Sequence, residues 1–217
     1  CYFARCYGDP EIARPHAPEA LRIAERIGSA LSRSFAYRGL AALHFMDGNW
    51  SEAAATFEKT LEIANTSRTV LWAQPYTMSD LAEAYLKLGR GRDALDMASR
   101  ALAEAQRLRS KGCENHAQLT LARVLLGTEG VAAADTAAGL LDEAVAEMHR
   151  MGLVVYLPHV SLARAEVARL RGDEAGRIAS LREAERLFDA IGAAGHLRAL
   201  REELGDAGGQ ADVEASV

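Results

Sequence analysis

The sequence predicts an all-α fold, a right-handed α-α superhelix of antiparallel helix pairs, with neither a sheet nor one large central core. Three observations carry this expectation. Alanines mark out a repeat, glycines recur at one phase within it, and alanine, leucine, glutamate and arginine dominate a chain of 217 residues with only five prolines.

The alanines act as a ruler. Ala82 precedes Ala101 by nineteen residues, the same interval separates Ala41 from Thr60 and Ala165 from Ala184, and Ala122 to Ala144 is twenty-two. The second marks, Ala20, Thr60, Ala101, Ala144 and Ala184, are spaced by 40, 41, 43 and 40. A period in this range is the signature of a stacked supersecondary array, in which each unit buries its apolar face only against its neighbours. Gly48, Gly89 and Gly172 fall where the first helix of a unit should end, and Gly127 and Gly130 flank the expanded loop of a further copy. Glycine there allows the left-handed conformation that closes a helix.

Taken in order, the units span about 1–28, 29–67, 69–110, 113–152 and 153–192, with a capping helix at 196–204. Cys1 to Tyr7 reads as the last turns of a first helix ended by Gly8-Asp9-Pro10, so the chain is expected to be part of a larger protein. Its partner helix should settle near His16 to Ile27, with Pro18 in the first turn. Ser29 caps the next helix, which runs to about Phe45. From Ser51 to about Ala64, the residues Trp50, Ala53, Ala54, Phe57, Leu61 and Ala64 form one stripe at helical spacing, as a core-facing helix requires. Asn65-Thr66-Ser67 has the form of a glycosylation sequon but lies where a helix should end, and it reads as a turn.

Pro75 and Pro158 each stand fourteen residues before a glycine, Gly89 and Gly172, so both belong to a kink or a first turn. Gly89 to Ala94 fits the spacing of a dinucleotide loop, but it follows a helix where that loop needs a strand. Asp93 to about Arg109 is the partner helix and Ser110 to Cys113 a loop. Glu114 to Leu126, a helix over Ala137 to Met151, Val154 to Leu170 and Glu174 to Ile191 complete the pairs. Gly192 to Gly195 should break the array, after which Leu197, Leu200 and Leu204 cover its end; residues 205–217 read as a flexible tail.

The chemistry available is sparse. A net charge of −5 and the absence of any Lys/Arg run argue against a direct nucleic-acid ligand. With no eighteen-residue apolar span expected, no membrane contact is predicted. Three cysteines without CxxC spacing suit a reducing, cytoplasmic setting. The six histidines are scattered, with no HxxxH or HExxH, and no nucleophile or phosphate-loop motif is present. No catalytic residue, metal site or cofactor is therefore assigned.

Leu81, Ala82, Tyr85, Gly89, Ala94 and Ala101 in one unit, and Gly48, Trp50, Ala53 and Phe57 in another, resemble the tetratricopeptide repeat. The period near forty exceeds that family's 34. Thr60, Arg164 and Arg177 stand where it has small or apolar residues. The resemblance implies that the first helix of each pair lines a concave groove. It assigns groove places to Phe35, Arg38 and Phe45, to Tyr76, Asp80, Glu83 and Lys87, to His116 and Arg123, and to His159, Glu166 and Arg169. Phe35, Tyr76, His116 and His159 share one phase, suggesting a ladder, with Arg38, Arg123 and Arg169 on one side and Asp80, Glu83 and Glu166 on the other. Residues 159–175 and 181–197 are similar to the C-terminal repeats of large bacterial signalling proteins that join a class III adenylate/guanylate cyclase domain to an AAA-type ATPase. What this implies is a non-catalytic protein-interaction or regulatory arm of such a protein. Its partners would be a protein or peptide, including other domains of the same chain. The alternative is a small-ligand sensory arm of a LuxR-type or other ATPase-containing transcription regulator.

Overall fold

Local chemistry sets most helix ends. The computed structural model describes residues 2–202 and Leu204, so Cys1 and the expected tail at 205–217 lie outside the described residues. Among the described residues, ten helices are bounded as α1 (Tyr2–Tyr7), α2 (Ala17–Ile27), α3 (Ala30–Met46), α4 (Trp50–Thr66), α5 (Gln74–Lys87), α6 (Gly91–Arg107), α7 (Lys111–Glu129), α8 (Ala134–Met151), α9 (Leu157–Leu170) and α10 (Glu174–Ala190). A further helix, α11, covers 194–202. Among the described residues there is no strand.

The Ser29 hydroxyl accepts from Ser32 N–H and opens α3, and Asp173 does the same for α10 through Gly176 N–H. Pro18, Pro75 and Pro158 all sit in the first turn of their helices, where the missing N–H costs nothing. Gly48, Gly89 and Gly172 close α3, α5 and α9 with φ of 77°, 72° and 72°. That is the left-handed cap the repeat phase implied.

Two expectations fail around α7. Its N-terminus includes Lys111 to Cys113, expected as loop, and its C-terminus runs past Gly127 to Glu129. Gly127 serves close packing instead of termination: a Cβ there would lie 3.0 Å from Leu86 Cδ1, so its absence lets α7 approach α5. The Thr128 hydroxyl bonds back to the Val124 carbonyl at 2.8 Å and the helix continues. The turn falls at Gly130, φ 60°, and the extra residues form a short 3-10 segment, Gly130–Ala133.

Pairs stack in chain order. α3, α5, α7 and α9 form the inner layer, each packed on its own outer partner, and α4, α6 and α8 each also pack on the next inner helix. The ruler residues account for the closeness: Ala41, Ala82, Ala101, Ala122, Ala144 and Ala184 are all fully buried. Phe57, Leu81 and Tyr85 fill the space between the second and third pairs, Leu141, Met148 and Val160 that between the next two, and Phe188 the last. Thr60 is buried at an alanine place because its hydroxyl donates to the Thr56 carbonyl at 2.9 Å. Arg164 is accommodated by reaching out to Asp142. Ala20 departs from the ruler: it is exposed, and Ala17 and Ala24 take the buried places of α2. α2 packs chiefly along α3.

One stretch departs from the expectation that no eighteen-residue apolar span is present. The stretch Lys111–Met151 contains a window of mean hydropathy 1.3, long and apolar enough by composition to cross a membrane. It is not a single rod, because the chain turns at Gly130 and α8 folds back along α7. Asn115, Gln118 and Thr120 of α7 are buried within the array.

Candidate functional site: the closed concave face

α1 and α11 meet across the concave side of the array. α1 ends at Gly8, φ 67°, and α11 begins beside it. His196 Nε2 lies 2.9 Å from the Arg5 carbonyl oxygen, which can only accept, so Nε2 carries the proton. A Cβ on Gly8 would come within 2.8 Å of His196 N and Cγ, and one on Gly195 would run into the Gly8 carbonyl. Two glycines thus permit this approach. Tyr7 packs with Leu197 and Leu200 on the same cluster as Phe188.

Closure places Arg5 over α5. Its Nη1 lies 2.5 Å from Asp80 Oδ1 and its Nη2 2.5 Å from Glu83 Oε2, and the guanidinium carbon is 4.7 Å from the centre of the Phe45 ring. Arg38 Nη2 approaches Asp80 Oδ2 at 3.0 Å and Arg123 Nη1 approaches Glu83 Oε1 at 2.8 Å. Every oxygen of the two buried carboxylates therefore receives a guanidinium N–H. Burial opposes the charge on Asp80, but Arg5 and Arg38 outweigh it and hold the carboxyl below its ordinary range; Arg123 and Arg5 do the same for Glu83. Burial works against the Arg5 charge as well, and the two carboxylates reverse it, so its pKa is raised.

Three histidines complete the wall in their neutral form. His116 is pushed down to about 4, by burial first, with Asp80 pulling the other way. His159 is held well below the usual imidazole value by burial and by His196 beside it, and His196 is lowered by burial against the help of its bond to Arg5. Around these groups lies a cavity of about 620 Å³, part-open to solvent, whose apolar wall includes Ala36, Ala42, Leu119, Leu162 and Ala199. Among the described residues no group of three His, Cys, Asp or Glu side chains is placed to hold a metal ion.

Of the residues singled out from sequence, Phe35, Arg38, Phe45, Asp80, Glu83, His116, Arg123 and His159 border this cavity. Tyr76, Glu166 and Arg169 do not. Tyr76 is a packing residue: Arg38 lies 5.6 Å over its ring, and Gly112 makes room for its hydroxyl. Glu166 and Arg169 pair with each other at 2.6 Å on an exposed face. Lys87 reaches over the Trp50 ring, 5.9 Å away.

The aromatic ladder is broken. Tyr76 and His116 make one rung at 5.3 Å, but His116 then meets Tyr156 at 5.2 Å, and His159 packs against Phe188 and His196 at 5.2 and 5.0 Å. Phe35 faces Trp72 at 6.5 Å. The rows of opposite charge expected to meet a partner are instead paired with one another, since a carboxylate buried without a cation is too costly to leave open. Arg5, Tyr156 and His196 escaped the sequence reading. Arg5 pairs with residues 75 and 78 positions away, and only the accumulated rotation of the array brings them together.

The tetratricopeptide repeat family matches residues 2–66. No curated protein matches the chain. Among solved structures, the chain is similar to the crystal structure of a singly substituted Podosopora anserina putative kinesin light chain with nearly identical TPR-like repeats. The TM-score is 0.53 at 19% identity, covering 94% of this chain and 96% of that one. A crystal structure of the same description without the substitution matches with TM-score 0.51 at 21% identity, over 88% of this chain and 95% of the other. At such identities the likeness is one of architecture: the chain folds as an all-α, TPR-like solenoid, with a tetratricopeptide-repeat match over its first two helix pairs.

Proposed function

We propose that this chain is a non-catalytic interaction arm of a larger cytoplasmic signalling protein, binding protein surfaces that include other domains of its own parent. The observation that carries this reading is an exposed apolar patch where the inner helices begin. Leu31 and Phe35 stand one turn apart on α3, and Trp72, 61% exposed, faces Phe35 from the segment before α5. Aromatic side chains left uncovered at such an edge are the usual anchors of a protein interface. TPR-like arrays serve in this way in general. A bacterial parent bearing a cyclase or ATPase domain is part of the proposal and rests on the resemblance of residues 159–197.

The test uses the full coding sequence. A photo-crosslinking residue at position 72 should yield crosslinks to another domain of the parent, one at Arg100 on an outer helix should not, and Trp72→Ala should change the parent's regulated activity. Equal crosslinking from both positions, with regulation untouched, refutes the proposal.

A second reading, a small-ligand sensory arm of an ATPase-containing regulator of the LuxR type, is favoured by one observation. The concave face forms a part-open cavity of about 620 Å³, a size typical of small-molecule sites.

A further inference from the structure

Among the described residues, the charged groups around the central cavity do not cancel. Arg5, Arg38 and Arg123 face two carboxylates, Asp80 and Glu83, and the three histidines of the wall are neutral. One positive charge is left over. We propose that the cavity binds a small organic carboxylate, a molecule with one negative charge on an apolar body, received by Arg123 and enclosed by the Leu119 and Leu162 side of the wall.

Which cation carries the excess follows from the hydrogen bonds. Arg5 is spent on both carboxylates and Arg38 is held between Asp80 and the Tyr76 ring. Arg123 is different. Among the described residues its only hydrogen bond is the one from Nη1 to Glu83, and its side chain is 40% exposed at the cavity. A guanidinium has five donors in a planar fork, and a carboxylate matches that fork with two parallel bonds. The wall holds further unmet polar capacity in Arg38 Nε and His116 Nδ1, neither of which has a partner among the described residues.

The alternatives fit less well. A cationic ligand would find each carboxylate oxygen already occupied. A phosphomonoester carries nearly two charges at neutral pH, which exceeds the single charge available. A neutral molecule would cover Arg123 without replacing the water it displaces, an unfavourable exchange. Ala36, Ala42 and Phe45 complete an apolar enclosure that favours an organic body over a bare inorganic ion.

This inference rests on the small-ligand reading and is independent of the interaction arm. The test is calorimetric titration of the folded chain with 1-naphthylacetate as probe, against 1-naphthylacetamide and 1-naphthyl phosphate as charge controls, up to millimolar concentration. The carboxylate should bind saturably at one per chain, and the amide and phosphate at least about tenfold more weakly. Arg123→Gln should weaken the carboxylate by about tenfold or more, with Arg123→Lys between the two because it keeps charge but loses the fork. Leu162→Trp, which fills the cavity, should abolish binding, while Glu166→Gln, exposed on α9 and outside the cavity lining, should leave it unchanged. Circular dichroism establishes that each variant is folded; should Arg123→Gln unfold, Arg123→Lys and Leu162→Trp carry the test. Tighter binding of the amide or the phosphate, or carboxylate binding indifferent to Leu162→Trp, overturns the proposed class and site but leaves the small-ligand reading standing. Failure of all three probes to bind overturns both.

Discussion

Glu83 on α5 and Glu166 on α9 occupy the same place in their repeats, six residues before Gly89 and Gly172, and they do opposite things. Glu83 is buried under Arg5 and Arg123; Glu166 stands at the surface, bonded to Arg169 three residues along its own helix. The backbone and the residue are alike, so the difference comes from what lies across the concave face. α5 is opposite α1, whereas Glu166 and Arg169, part exposed, bond to each other among the described residues. Position in a repeat fixes the direction of a side chain, and closure of the array decides whether it meets solvent or a partner.

The sharpest way to break this contrast is Arg5→Ala. It strips a shared cation from two buried carboxylates, and the loss should be about 3–5 kcal/mol, the cost of breaking a buried ion pair by removing one partner. Urea unfolding of the variant measures it. A loss as small as that of a surface pair would mean that solvent reaches Asp80 and Glu83 and that the two glutamates are not different in kind.

Acid should act on the same region next. Above pH 6.5 His116 is neutral folded and unfolded and contributes nothing. As the pH falls below 6.5 the unfolded chain takes up a proton that the folded chain refuses until about pH 4, so stability declines through that window. The decline from this one group is up to about 3 kcal/mol, and His159 and His196, also lowered, act in the same direction. Asp80 and Glu83 add to it lower down. Their folded values are depressed, so their stabilisation is present above the ordinary carboxylate range and is lost as pH falls through the folded values. Thermal melts from pH 7 to 4 should show the fall for the parent and a shallower one for His116→Gln.

The closure itself can be probed at the glycines. Gly8→Ala places a side chain at φ 67° and against His196, and should cost about 1–2 kcal/mol from the backbone alone. Loss of the His196 contact with Arg5 should appear as faster hydrogen exchange in α1 and α11, with α4 to α8 unchanged. Uniform acceleration across the chain would mean that the ends are not a separable latch.

The parts of this arrangement differ in how readable they are from sequence. The helices were legible because alanine spacing, first-turn prolines and the glycines at 48, 89 and 172 act within one or two helices, where local geometry decides. Gly127 misled because a glycine that ends a helix and a glycine that lets two helices touch look identical in one dimension. Asp80, Glu83, Arg38 and Arg123 could be placed on the inner layer by phase. Their pairing with Arg5 could not, because it depends on small rotations summed over several units. The same summation defeated the ladder: a shared phase puts Phe35, Tyr76, His116 and His159 on equivalent faces, but only Tyr76 and His116 come within stacking distance.

The smallest expected effect completes the comparison from the other side. Arg169→Ala removes a bond of 2.6 Å, close to the 2.5 Å bonds of Arg5, so geometry alone would rank the two together. Exposure ranks them apart. Glu166 and Arg169 are 40% and 57% exposed, their attraction is screened by water and salt, and ordering two long side chains offsets what remains. Arg169→Ala should therefore change stability by less than about 0.5 kcal/mol, and Glu166→Gln by a similar amount. A double-mutant cycle on Glu166 and Arg169 beside one on Glu83 and Arg123 measures both couplings in the same protein. Coupling near zero for the first and well above it for the second is expected. Equal couplings would show that the repeat position, and not the helix lying across from it, sets the worth of these charges.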